Sequence, residues 1–288
     1  MRKTVYGVSV ALLCMAALGG AATMVAQDAT ATMMGPPPIL MTVREYPKLG
    51  MERQHVQKEM EQIAIVRAAK FNLYTLALRS ITGDAPRVVF LTGYESMANI
   101  ATAHEELGKM PDIAKLDKLI DEDEAMLDKT NTAIWRFKPE LSSSAPVDMA
   151  SMRMAVMVQI VTKEGHSGDF ESAAKKIIAG WTATDPTYTA LIYASVYGGA
   201  EAPSYLVILP IKSLSELDKR HEMVDAYHKA VGEEGMKELK KAPESYLADG
   251  ANLFAFAPRM SYVPESWLKE APDFWTPKPL PMEKADKK

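Results

Sequence analysis

Val88-Val89-Phe90-Leu91-Thr92-Gly93-Tyr94-Glu95-Ser96 reads as a short apolar strand running into a helix-capping serine. Moving the chain against itself by 117 residues repeats that reading. The run 88–91 falls on 205–208, Ser96 on Ser213, Pro86 on Pro203 and His104 on His221, and both histidines precede a glutamate, Glu105 and Glu222. Near the end of each half, Trp135-Arg136-Phe137-Lys138-Pro139 matches Phe254-Ala255-Phe256-Ala257-Pro258 at a shift of 119. Chance readily gives one such coincidence but not four in order, and a period this long means a duplicated domain rather than a solenoid.

Each half carries the same succession of elements. In the first, 39–45 is strand-like, and 50–70 places Val56, Met60, Ile63 and Arg67 at helical spacing. Strands at 73–81 and 87–94 flank the turn-rich connector Thr82-Gly83-Asp84-Ala85-Pro86. Ser96 caps a helix bearing Met97, Ile100, His104 and Leu107, Pro111 opens another helix to about residue 129, and 131–138 is a closing strand. The second half repeats this with strand 153–162, helix 169–180, strands 189–197 and 205–211, helix 213–231, a shorter helical stretch 235–241 and strand 252–258. The order β-α-β-β-α-β, twice, predicts an α+β fold. Two tandem ferredoxin-like repeats pack sheet to sheet as an intramolecular pseudo-dimeric barrel.

Val43-Arg44-Glu45-Tyr46, the long helix after it and the stretch from Val88 to Ser96 resemble the NIPSNAP-type branch of the dimeric α+β barrel superfamily, over about residues 39–262. The resemblance implies a tandem module folded as an internal pseudo-dimer. The superfamily includes cofactor-free oxygenases, haem enzymes and proteins without an assigned activity, so it implies no single function.

The flanks read differently. Arg2 and Lys3, the apolar run 8–18 and the small residues of Gly19-Gly20-Ala21-Ala22 and Val25-Ala26 have the parts of a secretory signal peptide, cut after Ala26 or, alternatively, after Ala22. The expected division is signal peptide 1–26, extended lead-in 27–38, first repeat 39–140, linker 141–150, second repeat 151–262 and proline-rich tail 263–288. The tail's Trp267, Phe274 and Trp275 are expected to lie along the body. Cleavage removes the sole cysteine, Cys14, which excludes disulfide, thiol and thiolate chemistry from the mature chain. The formal charge of −4, or −6 after cleavage, offers nucleic acid no basic field. An exported, periplasmic or extracellular protein without a membrane contact after cleavage follows.

No catalytic signature, metal site or cofactor motif stands out. The leading candidate residues are Arg44, Arg79 and Arg136, each within a predicted strand of the first half, with counterparts Val161, Val196 and Ala255 at the shifts above. If the arginines point into the barrel together with Tyr94, and with Tyr74 and Trp135 as walls, they form a pocket for a carboxylate or phosphate. If strand alternation places them outward, they lie at strand ends or on a solvated face.

His104 and His221, with His228 and Asp225 nearby, read as half-buried helix histidines rather than ligands. Met149, Met152, Met154 and Met157 read as core filling. Gly165-His166-Ser167-Gly168-Asp169 reads as a turn with Ser167 or Asp169 as helix cap, and Asp121-Glu122-Asp123-Glu124 as a solvated helix face.

The function expected first is binding of a small anionic or aromatic molecule in the cavity between the repeats. An oxygenase, cofactor-free or haem-dependent, on the same cavity is the alternative. A structural or interaction module whose barrel is filled by Phe90, Trp135, Phe254 and Phe256 is the third reading.

Overall fold

Alternation along the first strand assigns its side chains to two different interiors. In β1 (Ile39–Pro47), Ile39, Met41 and Val43 join the cluster beneath the first repeat's helices, whereas Leu40 joins the cluster inside the barrel. The computed structural model describes residues 35–83, 87–198 and 203–280. The segment 1–26, read from the sequence as a signal peptide, lies outside them.

The first repeat continues with α1 (Glu52–Ala68), β2 (Thr75–Ser80), β3 (Val88–Tyr94), α2 (Met97–Leu107), α3 (Ile113–Glu124) and β4 (Leu127–Phe137). The second comprises β5 (Met154–Thr162), α4 (Ser167–Thr184), β6 (Leu191–Tyr197), β7 (Ser204–Ile211), α5 (Ser215–Glu222), α6 (Val224–Lys241) and β8 (Tyr246–Phe256). Ser96 caps α2, its Oγ accepting from the Asn99 N–H. The helix expected over 213–231 is two helices, and α6 runs on to Lys241 with a kink at Gly232 (φ 75°).

All neighbours are antiparallel, in the closed order β1-β3-β2-β8-β5-β7-β6-β4. Each repeat thus supplies a four-stranded ferredoxin-like sheet, and the contacts β2–β8 and β4–β6 join the two sheets edge to edge into one barrel.

The ladders correct the residue correspondences. Arg44 faces Val89 on β3, and Gln159 faces Leu206 on β7. Val89 and Leu206 are counterparts at the 117-residue shift, so the counterpart of Arg44 is Gln159, not Val161. By the same argument Arg79, opposite Val88, corresponds to Ala194, opposite Tyr205, and not to Val196. Lys48 N–H donates to the Met126 carbonyl (2.8 Å) and Lys163 N–H to that of Ser245 (2.9 Å). The shift is therefore 115 for β1/β5 and 119 for β4/β8. Connections of unequal length between the repeats make any single shift only locally correct, and Arg136 with Ala255 stands.

The barrel interior is filled. Trp135, Tyr193, Leu206, Phe254 and Phe256 pack there with Leu78 and Val89, whereas Phe90 faces the helices. The Trp135 indole donates to Thr42 Oγ1 (2.9 Å). Two short tail helices, α7 (Glu265–Glu270) and α8 (Pro272–Trp275), bring Trp267 and Trp275 into the same cluster. A cavity of about 60 Å³ lies beside Pro36, Leu40, Leu91, Tyr193 and Trp267.

Burial raises the phenol pKa of Tyr94, under the helices, and of Tyr193, in the barrel, far above the ordinary value, and that of Tyr188 to about 12. Folding favours the neutral phenol. The associated stability is therefore complete below pH 10 and lost as pH rises through 12. Tyrosinate absorbance from these three rings should appear together with unfolding in an alkaline titration followed by circular dichroism, and not before it.

Candidate metal centre

The alternation that buries Ile39, Met41 and Val43 beneath the helices also directs Glu45 there, where an apolar residue is the norm. On α1 the buried face is His55, Val56, Glu59, Gln62, Ile65 and Val66. His55 and Glu59 are one turn apart and so share that face. Asp123, near the end of α3, completes the group. His55 is 0 % exposed, Glu45 and Glu59 1 % and Asp123 2 %. One ligand atom from each of the four lies within 4.8 Å of every other.

The geometry fixes the imidazole. His55 Nδ1 is 2.8 Å from Asp123 Oδ1. An ionised carboxylate only accepts, so Nδ1 carries the proton and Nε2 presents its lone pair on the opposite side. Nε2 is 3.6 Å from Glu45 Oε2 and has no hydrogen-bond partner. A lone pair and a carboxylate oxygen at that distance repel unless a proton or a cation lies between them. Gln62 Nε2 donates to Glu59 Oε1 (3.4 Å). Outside the cluster, Lys58 on α1 bonds Glu122 on α3, which raises the lysine pKa and lowers that of the glutamate. That half-buried pair at the protein surface ties the two helices together but adds little stability by itself.

The duplicated half offers an internal comparison. At shifts of 115 for β5 and α4 and 119 for the turn into β8, the counterparts are Ile160, Phe170, Ala174 and Ala242. Ile160, Phe170 and Ala174 share one apolar cluster, and Ala242 is also buried. The turn itself matches, with Met126 N–H on the Asp123 carbonyl (2.8 Å) and Ser245 N–H on that of Ala242 (3.0 Å). The fold is therefore built without charges at these four places in one repeat and with three carboxylates and an imidazole in the other. Burying such groups is costly unless a counter-charge accompanies them. The carboxylates of Glu45 and Glu59 with the Nε2 of His55 form a donor set suited to a borderline divalent cation such as zinc, iron(II) or manganese, not to copper(I), and Asp123 holds the imidazole from its other side.

The residues singled out from the sequence do not meet in one pocket. Arg44 points into the barrel and donates from Nη1 to Gln159 Oε1 at 2.8 Å. Strands β1 and β5 lie opposite each other in the strand order, so these two pseudo-equivalent side chains join across the barrel axis. Arg136 is exposed on the outer face of β4, and Tyr94 lies beneath the helices. Arg79 is exposed at the end of β2, on the wall of a cleft that also includes His55.

His104 is half-buried, but His221 and His228 are exposed. The N-cap residue of α4 is His166, whose Nδ1 lies 2.7 Å from Asp169 Oδ2, so neither Ser167 nor Asp169 takes that place. Met152 and Met157 are barrel core. The acidic run is not uniformly solvated, since Asp123 is buried. A charged residue continuing an apolar alternation, followed by His-x-x-x-Glu on a helix, was the available signal for the cluster.

No protein-family model matches the chain, and no curated protein matches it by sequence. Among solved structures, a candidate monooxygenase from Fusobacterium nucleatum subsp. nucleatum is 11% identical at a TM-score of 0.50, covering 76% of this chain and 91% of that one. An anthrone oxidase-like protein is 10% identical at 0.48, covering 77% and 92%. A chlorite dismutase mutant from Candidatus Nitrospira defluvii is 12% identical at 0.46, covering 84% and 98%. An identity of 11% at a TM-score of 0.50 shows a shared fold alone, here an eight-stranded antiparallel barrel with helices, both repeats on one chain.

Proposed function

We propose that this chain is an exported protein that holds one divalent first-row transition-metal ion between Glu45, His55 and Glu59, with Asp123 supporting the imidazole from behind. Its kinship with the NIPSNAP-type branch rests on the stretches 43–46 and 88–96. Export rests on the parts of the signal peptide in residues 1–26, and among the described residues no helix is long and apolar enough to cross a membrane.

One observation carries the metal reading. A fully buried imidazole nitrogen without a hydrogen-bond partner faces the Glu45 carboxylate within a cluster of three buried carboxylates, at positions that are apolar in the duplicated half. Asp123 is the support of the imidazole rather than a ligand, since its bond to Nδ1 fixes which nitrogen faces the ion. The packing of aromatic and aliphatic side chains inside the barrel leaves little space there for an organic substrate. That observation moves the candidate site from the barrel to the helix layer.

Elemental analysis of the mature chain, from Gln27 on, purified without chelators, tests the reading. The expected result is one transition-metal ion per chain, lost in His55→Phe. Chelation of the wild type should lower its melting temperature, and restoring the metal should reverse the change. A wild-type chain that carries no metal and is not stabilised by added zinc, manganese or iron(II) overturns it.

A further inference from the structure

Above the buried cluster the surface opens into a cleft of about 480 Å³. Its walls include Glu52 and His55 from α1, Arg79 and Ile81 around the end of β2, and Arg87 at the start of β3. We propose that this cleft binds a small carboxylate with an apolar body, its carboxylate held by Arg79 and Arg87 and its body against the apolar rim. The proposal deepens the metal reading, on which it rests for the ion lying beneath His55.

Charge points to the carboxylate. Neither Arg79 nor Arg87 forms an ion pair with any described residue, and both line the cleft. The Arg87 guanidinium lies over the Phe254 ring, 5.3 Å from its centroid. Glu52 is the carboxylate on the opposite wall. Among the described lining residues, two guanidinium groups stand against one carboxylate, and paired guanidinium donors suit the two oxygens of a carboxylate.

The rim points to the apolar body. Six large apolar side chains are markedly exposed among the described residues, and three of them belong to the segments bordering this cleft. Leu49 is 85 % exposed and Met51 40 %, in the loop between β1 and α1, and Ile81 is 52 % exposed after β2. An inorganic oxyanion would make no use of these groups. A molecule with an anionic end and an apolar end would use both features.

The duplicated half again supplies the contrast. The counterparts of Arg79 and Arg87 are Ala194 and Ser204, beside the apolar cluster that replaces the metal ligands. The arginine-lined cleft and the buried carboxylate–histidine cluster therefore occur together in one repeat and are absent together from the other. This is the pattern of one site with two parts, a cation below and an anion-binding cleft above.

Calorimetric titration of the mature, metal-loaded chain with benzoate, and in parallel with inorganic phosphate, tests the proposal. Benzoate should bind at one site per chain, more tightly than phosphate. Its affinity should fall at least tenfold in Arg79→Leu and in Arg87→Met, with the metal content of both variants unchanged. Arg79 is exposed and Arg87 half-buried, and circular dichroism confirms that each variant is folded. Ile81→Ser should weaken benzoate while leaving phosphate unaffected.

Absence of benzoate binding, equal binding by wild type and Arg79→Leu, or phosphate bound more tightly than benzoate would each overturn the carboxylate cleft while leaving the metal reading intact. A wild type without metal that still loses benzoate on Arg79→Leu would instead overturn the metal reading and keep the cleft.

Discussion

The combined substitution Glu45→Ile, His55→Phe, Glu59→Ala and Asp123→Ala gives a folded protein that binds no metal and, compared without metal, is more stable than the native chain. It writes into the first repeat the residues that occupy the same places in the second, where Ile160, Phe170 and Ala174 form an apolar cluster and Ala242 is buried. The exchange removes three buried carboxylates and an imidazole, groups that are costly to desolvate when no cation accompanies them. Replacing a buried charged group by apolar residues of similar volume is typically neutral or stabilising by about 1–4 kcal/mol. A gain of that size should appear as a higher denaturant midpoint with an unchanged slope.

Asp123→Ala alone should behave in the opposite way, because it leaves the imidazole without its Nδ1 acceptor and keeps the two glutamates. Breaking one partner out of a buried set costs about 3–5 kcal/mol. Chemical denaturation of the metal-free forms, with elemental analysis alongside, reads both effects. A fourfold variant less stable than the metal-free wild type would show that the cluster supports the fold through its own hydrogen bonds, and that the second repeat is not a valid guide to the first.

The duplication was legible because it is written in apolar runs and caps, the features that two-fold and 3.6-fold periodicity expose. The run from Val88 and the Ser96 cap hold their places in the structure. The buried cluster was hidden by the same logic. Marking the inward face of α1 by Val56, Met60 and Ile63 assumes that histidine and glutamate face water, whereas His55, Glu59 and Gln62 lie on its inward face. Asp123 was hidden within a run of four acidic residues, and only packing of α3 on α1 distinguishes it from Asp121, which is exposed.

Arg44 marks the limit of a single-shift comparison. Its inward direction was one of two readings left open by the sequence, and its partner Gln159 emerged only from the ladder register, two residues from the position the 117-residue shift assigns. The filling of the barrel by tail residues was likewise inaccessible, because nothing local in a proline-rich segment specifies the distant mouth against which Trp275 packs.

That packing sets the second large expected effect. Trp275→Ala should cost about 3–5 kcal/mol of stability, a large part of the roughly 5–15 kcal/mol typical of a folded domain. Trp275 is 1 % exposed and its indole donates to the Ala150 carbonyl at 2.8 Å, so substitution also removes the donor to a linker carbonyl. Its ring lies 5.0 Å from Trp267 and 4.9 Å from Phe274, between centroids, and 6.1 Å from Phe256 of β8. Removing it leaves an apolar void at the barrel mouth, and a dry void of that kind binds a small aromatic. Added indole should therefore recover part of the lost melting temperature in Trp275→Ala and none in the wild type.

The metal content of the folded variant should remain that of the wild type, because the cluster lies on the opposite face of the sheet, beneath α1 and α3. Thermal melts with and without indole, together with elemental analysis, separate the two interiors. A loss below about 1 kcal/mol, the range usual for surface substitutions, would show the tail to be a loosely held cover. The barrel interior would then be accessible to ligand, and the cavity between the repeats would again compete with the helix layer as the functional site.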